Sequence, residues 1–294
     1  MSNFKIGFIG LGEMGKPMAK NLIRYRFNVA VCGHNRREPV EELKCLGASE
    51  AKSPKEVAEF SDFIVVMVRD IPQTNEVVLG EGFWQKRGIW QGIHAGLTIV
   101  ICSTLKPDYC QKLAEKAKNK GSFVVDSPVS GGFPQAEAGT LTFMVGGDKE
   151  DFKRCLPIFK AMGKNIYYIG GPGMGQALKL INNYMMVVTA YGTSEAIAMG
   201  LKAGLGLEQM LEIIKVSSGN SGVIDRWNIL AKHQQEFNEK TSGEKSIFNK
   251  DVTLAIEFAT EMGLKTDFGK LILESDESSL FPTRISDTSK KSKS

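Results

Sequence analysis

Histidine is scarce in this 294-residue chain, with only His34, His94 and His233, and the five cysteines (Cys32, Cys45, Cys102, Cys110, Cys155) form no CxxC pair. A zinc site needs clustered ligands and a disulfide framework needs an even, spaced set, so neither is expected and the thiols should be reduced. A surplus of one charge is also lacking. The formal net charge is +4, part of it in the last few residues, which is too little to argue for nucleic acid. No apolar run approaches the roughly 20 residues of a membrane span. A strand-like run begins at Phe4, which leaves no stretch for a charged and then apolar leader, so no signal peptide and a cytoplasmic location are expected. What is present is ordinary globular material, 42% hydrophobic and 24% charged, long enough for about two domains.

The most informative segment is GFIGLGEMGKPMAKNL, Gly7 to Leu22, in which Gly10, Gly12 and Gly15 separate an apolar strand from a helical pattern. In a dinucleotide fold the first glycine permits a sharp turn, the second lets backbone approach a pyrophosphate, and the third lets helix pack on strand. The helix N-terminus then offers N–H groups to the phosphates. Gly10, Leu11, Gly12, Glu13, Met14 and Gly15 are therefore candidate cofactor residues.

Apolar runs of strand length recur at Phe4 to Ile9, Asn28 to Cys32, Phe63 to Val68, Thr98 to Cys102 and Phe123 to Val125, with helical segments between them. That alternation predicts an α/β Rossmann domain with a doubly wound, mostly parallel sheet. Thr142 to Val145 and Ile166 to Tyr168 extend the sheet around a helix at Phe152 to Met162, so the domain ends near Gly170. Strand signals then fade, and Met174 to Ala203 reads as one long helix opening an all-α domain over residues 171–274. A helix so apolar around its circumference must be covered on most sides, by another domain or a second subunit. Further helical patterning is interrupted at Ser217 to Gly222 and Thr241 to Ser246. From Ser275 to Ser294 the composition turns polar, and disorder is expected there.

NAD-binding folds place an acidic residue after the second strand to meet the adenosine ribose. Here that position holds Gly33, His34, Asn35, Arg36 and Arg37 instead. Guanidinium forks match phosphate oxygens, which favours NADP with NAD also possible; the other reading is a solvated basic loop. Three further segments carry chemistry. DSPVSGG, Asp126 to Gly132, ends in Ser130, Gly131 and Gly132, whose hydroxyl and successive N–H groups suit a substrate carboxylate. Lys179, Asn182 and Asn183 share one face of the long helix by their spacing, although a lysine there also fits a solvated surface. Lys250 and Asp251 open KDVTLAIEFA, which by pattern alone is an ordinary helix start.

In this order the segments resemble the β-hydroxyacid dehydrogenase family, which includes 3-hydroxyisobutyrate dehydrogenases and tartronate semialdehyde reductases. GFIGLGEMGKPMAKNL is similar to its cofactor motif, DSPVSGGFPQAEAGTLTFMVGG to its substrate motif, GPGMGQALKLINN to its catalytic motif and NKDVTLA to its distal cofactor motif. The resemblance spans residues 5 to about 262. It implies that Lys179 is the catalytic acid/base, that Asn183 and Ser130 to Gly132 hold substrate, and that Lys250 reaches over the cofactor. It further implies that Val68 lines the cofactor and that Ser103 and Thr104, in CSTLKP, lie beside nicotinamide and substrate. A homodimer or homotetramer acting on a small carboxylate-bearing substrate is implied, with no metal.

Two departures stand out. The second strand ends in Cys-Gly-His-Asn-Arg-Arg instead of an aromatic followed by Asn-Arg-Thr or by Asp. After Met262 the family continues through apolar helices, whereas here Phe268 to Leu273 leads into the polar tail. The implied reaction is reversible hydride transfer between nicotinamide and a short β-hydroxy acid or its semialdehyde, and a lysine suits the proton transfer when partial burial lowers its pKa. The alternatives are an imine reductase, against which Lys179 argues, and a non-catalytic NADP-binding or assembly protein, against which the intact Lys179, Asn183 and DSPVSGG argue. Phe133, Gln135 and Tyr184 are candidate pocket residues, with simple packing as the equal alternative.

Overall fold

The computed structural model describes residues 4–240 and 247–283. Two compact units divide the chain, Met1–Lys179 and Leu180–Ser294.

The first unit alternates strands and helices. Its strands are β1 (Lys5–Ile9), β2 (Asn28–Cys32), β3 (Ser49–Ala51), β4 (Phe63–Val66), β5 (Thr98–Ile101), β6 (Phe123–Asp126), β7 (Val129–Ser130), β8 (Leu141–Gly146) and β9 (Gly163–Gly170). Its helices are α1 (Gly15–Arg24), α2 (Glu38–Cys45), α3 (Pro54–Phe60), α4 (Ile71–Leu79), α5 (Ile89–Gly92), α6 (Pro107–Lys118), α7 (Phe133–Ala138) and α8 (Lys149–Met162). The sheet runs β3-β2-β1-β4-β5-β6-β8-β7, with β9 also paired to β8. From β3 to β6 every pairing is parallel, while β8 is antiparallel to both β6 and β7. Val, Ile and Phe, with Thr98 at the start of β5, fill β4 and β5, which are buried along their whole length because helices cover both faces. One core layer gathers Phe8, Met18, Leu22, Phe143 and Phe159; the other gathers Ile64, Val78, Ile99 and Leu113.

Local chemistry starts and stops the helices. Ser53 caps α3 by accepting from the Glu56 N–H, and Asp70 caps α4 by accepting from the Gln73 N–H at 2.9 Å. Pro54 and Pro72 fill early helical positions where no intrahelical N–H bond is lost. Gly80 closes α4 in the left-handed region, φ 78°.

The sheet strands expected from the pattern are all present, with ends shifted by a few residues. Two short strands carried too little pattern to be read: β3 is three residues and β7 two. The latter lies inside DSPVSGG and pairs Ser130 with Thr142 of β8.

The long helix α9 (Met174–Lys202) spans 29 residues, about 44 Å, and the division between the units falls within it. The second unit continues with α10 (Leu207–Lys215), α11 (Gly222–Asp225), α12 (Trp227–Lys240), α13 (Ile247–Glu261) and α14 (Asp267–Glu274). Val187, Ala190, Tyr191, Trp227 and Val252 lie in its core. The break expected at Ser217 to Gly222 corresponds to residues 216–221 between α10 and α11, with Gly222 already opening α11; the one at Thr241 to Ser246 lies outside the described residues.

The polar end departs from expectation. Ser275 to Thr283 are ordered, with a 3-10 turn at Glu277–Ser279 and with Leu280 and Phe281 buried in the core. Phe281 packs edge-on against Trp227 at 5.2 Å, and its N–H donates to Ser194 Oγ at 3.0 Å. Two large apolar side chains in a polar stretch suffice to anchor it. Residues 284–294 lie outside the described residues.

Candidate active site

All six parallel strands end on one edge of the sheet, and the order β2-β1-β4 reverses the winding at β1, which is where open α/β sheets bind ligands. The loop after β1 carries the glycines. Gly10 has φ +97°, and a Cβ there would stand 2.1 Å from the Met67 carbonyl oxygen; one on Gly15 would stand 1.8 Å from the Gly10 carbonyl oxygen. Those two glycines are required by the turn itself. A Cβ on Gly12 would meet nothing within 4 Å. The second glycine thus borders open space at the start of α1, whose first turn carries no acidic residue. This cradle fits a pyrophosphate approaching backbone N–H groups.

After β2, His34, Asn35, Arg36 and Arg37 are all exposed. The two arginines differ. Arg37 forks onto Glu50 of β3 and donates to Glu41 of α2 at 2.6 Å, and Lys44 reaches Glu50 at 3.1 Å. The hydrogen bonds from Arg37, supported by Lys44, hold the Glu50 carboxyl down at about 2. Arg36 makes no side-chain hydrogen bond or ion pair among the described residues. Of the two guanidiniums, Arg36 is the one whose fork is uncommitted.

At the other end of the edge the loops are stitched together by buried polar bonds. The Val68 N–H, after β4, donates to Ser103 Oγ at 2.9 Å, after β5. Gln176, fully buried near the start of α9, accepts from the Leu105 N–H at 2.9 Å and donates to the Ser103 carbonyl at 2.8 Å, which clips the segment holding Ser103 and Thr104. Asp126, the last residue of β6, accepts from the Gly173 N–H at 2.7 Å and from the Gln176 N–H at 2.9 Å. Gly173 precedes α9 and has no side chain of its own to cap it, so a carboxylate from a distant strand does so. Burial pushes the Asp126 carboxyl up, and those N–H groups pull it partly back. There is no room for anything larger: a Cβ on Gly175 would meet the Met144 carbonyl at 2.3 Å.

Lys179 is half-buried one turn beyond Gln176. Ser130 lies in β7, and Gly131 and Gly132 follow with φ +140° and +78°, so this segment turns in a conformation that favours glycine. It leads into α7, which is tied to the glycine-loop helix by a buried bond from Asn21 Nδ2 to the Ala136 carbonyl at 2.8 Å.

In the second unit Asn183 is buried. Its Nδ2 donates to Asp251 Oδ2 at 2.5 Å, and its Oδ1 accepts from Asn182 Nδ2 at 3.1 Å. Asp251 also lies 3.2 Å from the Lys250 ammonium. The helices α9 and α13 thereby bring together Asn183, Asp251 and Lys250. Lys179 and Asn183 lie four residues apart on the unbroken α9, one helical turn.

Sequence reasoning took Asp126 only as the start of a motif, gave Asp251 no role and passed over Gln176. The signal for Gln176 was available, since a glutamine three residues before the lysine, on the apolar helix, must find two buried partners.

A strand order that reverses at β1, a glycine turn against a helix start and polar loops along the same edge define a dinucleotide-binding protein of the Rossmann class. Comparison with known proteins narrows this. Residues 5–170 match the family described as NAD binding domain of 6-phosphogluconate dehydrogenase, and residues 173–277 match that described as NAD-binding of NADP-dependent 3-hydroxyisobutyrate dehydrogenase. The NAD-dependent L-serine dehydrogenase of Pseudomonas aeruginosa is 36% identical over 276 residues, 92% of this chain and 90% of that protein. The 2-hydroxy-3-oxopropionate reductase of Escherichia coli is 36% identical over 266 residues, 88% and 86% of the two chains. Among solved structures, Psf3 in complex with NADP+ and 2-OPP superposes with a TM-score of 0.78 at 25% identity, covering 94% of this chain and 98% of that one. The chain belongs to the β-hydroxyacid dehydrogenase family, and its cofactor is a nicotinamide dinucleotide.

Proposed function

We propose that this protein is an NADP-preferring dehydrogenase of short β-hydroxy acids and their semialdehydes, with Lys179 as general acid/base. The observation that carries this reading is the anchoring of α9: Asp126 and Gln176 fix its first turn to the loops after β5 and β6, and Lys179 follows one turn later. The substrates in the names of the two relatives, L-serine and 2-hydroxy-3-oxopropionate, both carry a carboxylate and an oxygen on the third carbon. Such a molecule suits a carboxylate nest at one end and a proton donor at the other.

Gly10 to Gly15, Val68, Ser103, Thr104 and Lys250 would hold the dinucleotide, which when bound would supply or take the hydride. In reduction the Lys179 ammonium donates a proton to the carbonyl oxygen; in oxidation the neutral amine takes one from the hydroxyl. Ser130, Gly131 and Gly132 bind the carboxylate, so positioning contributes much of the rate. Asp251 fixes the orientation of the Asn183 amide toward the reacting oxygen. Arg36 reads the 2′-phosphate, which its uncommitted fork favours over Arg37.

Self-association is supported by a seam on α9. Met174, Leu178, Ile181, Met185, Val188 and Gly192 follow alternating spacings of four and three, Met199 lies seven residues beyond Gly192 with Glu195 between them, and Ile181, Met185 and Met199 are all more than half exposed.

The test is NADPH oxidation against tartronic, methylmalonic and succinic semialdehydes and glyoxylate, repeated with NADH. Lys179→Ala should lower kcat by about 10³-fold while NADPH affinity stays within about 3-fold. Turnover that survives the substitution excludes the assigned role.

A further inference from the structure

The segment between α4 and α5 has no part in the site described so far, yet it reaches the loop after β2. It is tightly shaped: Gly80, Gly82 and Lys86 all have positive φ (78°, 52° and 58°), and Lys86 N–H bonds back to the Gly80 carbonyl at 3.0 Å. Its 3-10 turn, Gly82–Trp84, presents two aromatic rings with opposite fates. Trp84 is buried in the core, with the Arg87 guanidinium 5.4 Å from its ring. Phe83 is 55% exposed.

That exposed ring is nevertheless fixed. The Phe83 N–H donates to Glu76 Oε1 at 2.9 Å. Its ring meets Trp84 edge-on at 4.7 Å and His34 edge-on at 4.5 Å. His34 Nε2 in turn lies 3.8 Å from the same Glu76 carboxylate. His34 is the second residue past β2, and Arg36 follows two positions later.

The end of β2 is where a Rossmann sheet meets the adenosine half of a dinucleotide. A rigidly held aromatic face beside a carboxylate acceptor has the chemistry of an adenine site, because the base is a flat π surface carrying an exocyclic amino donor. We propose that Phe83, backed by His34, is the stacking wall for the adenine base, a recognition surface built by the segment after α4. The inference rests on the reading of this edge as the dinucleotide site. It makes Phe83 a binding residue for the half of the cofactor that takes no part in hydride transfer.

The experiment measures, by calorimetry, binding of adenosine 2′,5′-diphosphate, ADP-ribose, NADPH and reduced nicotinamide mononucleotide to the full chain and to Phe83→Ala and Phe83→Tyr. Phe83→Ala should weaken both adenine-bearing fragments and NADPH by about 5- to 10-fold, leave the mononucleotide unchanged, and be restored to within about 2-fold by Phe83→Tyr. Equal affinity of Phe83→Ala and the parent for ADP-ribose overturns the proposal, as does a parallel loss for the mononucleotide, which would mark a general distortion. A parent protein that binds ADP-ribose as well as the 2′-phosphorylated fragment counts against the NADP preference alone, and the Phe83 effect on ADP-ribose then still carries the proposal. If the parent binds none of the four, the dinucleotide reading fails and this inference with it.

Discussion

The two ends of the sheet edge are built on opposite principles. At the β5 and β6 end, Asp126, Ser103 and Gln176 are buried and bonded to backbone N–H or carbonyl groups of three different segments. At the β2 end, His34, Arg36, Arg37 and Phe83 are exposed, and Arg37 pairs with Glu41 and Glu50 at the surface. The first end resembles a core in which polar bonds replace apolar contacts: each buried group left without its partner costs a large part of a domain's stability. The second resembles a surface, where ion pairs contribute little to folding and a great deal to what is recognised. The proposed chemistry falls at the rigid end, where a displacement of the lysine would be costly, and cofactor choice falls at the adaptable end.

The contrast breaks most directly at Asp126. Asp126→Ala leaves the Gly173 and Gln176 N–H groups without an acceptor, and we expect a loss of about 3 kcal/mol in denaturant unfolding, together with reduced turnover as the start of α9 loosens. A variant as stable as the parent would mean that the capping carboxylate is dispensable.

Arginine substitutions at the other end should do the reverse. Arg36→Ala is expected to weaken NADPH binding by about 10-fold or more, leave NADH nearly unaffected and shift the melting temperature by less than about 1 °C. Arg37→Ala, which removes a guanidinium already held by Glu41 and Glu50, should change the NADPH to NADH ratio much less. If Arg37 proves the stronger determinant, the ion pairs seen here must open on binding.

The smallest effect lies in the acid limb. Glu50 has a depressed carboxyl, so the stability it contributes is fully present above its unfolded value of about 4.3 and is lost as pH falls toward about 2. Asp126 runs the other way. Its raised carboxyl makes folding less favourable as pH climbs from the unfolded value of about 3.9 through the folded one. Glu50→Gln should therefore flatten the unfolding profile between about pH 2 and 4, by no more than about 0.5 kcal/mol because the network is exposed. An unchanged profile would show that solvent screens the network completely.

Period and punctuation were enough for the sheet. Continuous Val, Ile and Phe runs at regular intervals leave little choice but a parallel sheet covered on both faces, and Gly10 and Gly15 are forced by sterics that any such turn imposes. The unbroken apolar helix and the cluster of Lys179 and Asn183 upon it were legible for the same reason, since helical spacing fixes which residues share a face. Strands of two or three residues, such as β7 and β3, were not legible, because so few positions carry no period. Nor was the ordering of Leu280 and Phe281, which depends on a slot beside Trp227 and Ser194 supplied by residues far away in sequence.

The sequence by itself determined where a dinucleotide turn begins, which strands flank it and which polar side chains lie along the long helix, because those follow from local sterics and periodicity. Only the tertiary structure decided that Asp126 caps that helix from 47 residues upstream, that Asp251 claims the Asn183 amide across 68 residues, and that of two adjacent arginines one is tied down and the other is not. Each of these is a choice of hydrogen-bond partner, and a partner is set by which backbone and side-chain atoms the folded chain brings within reach.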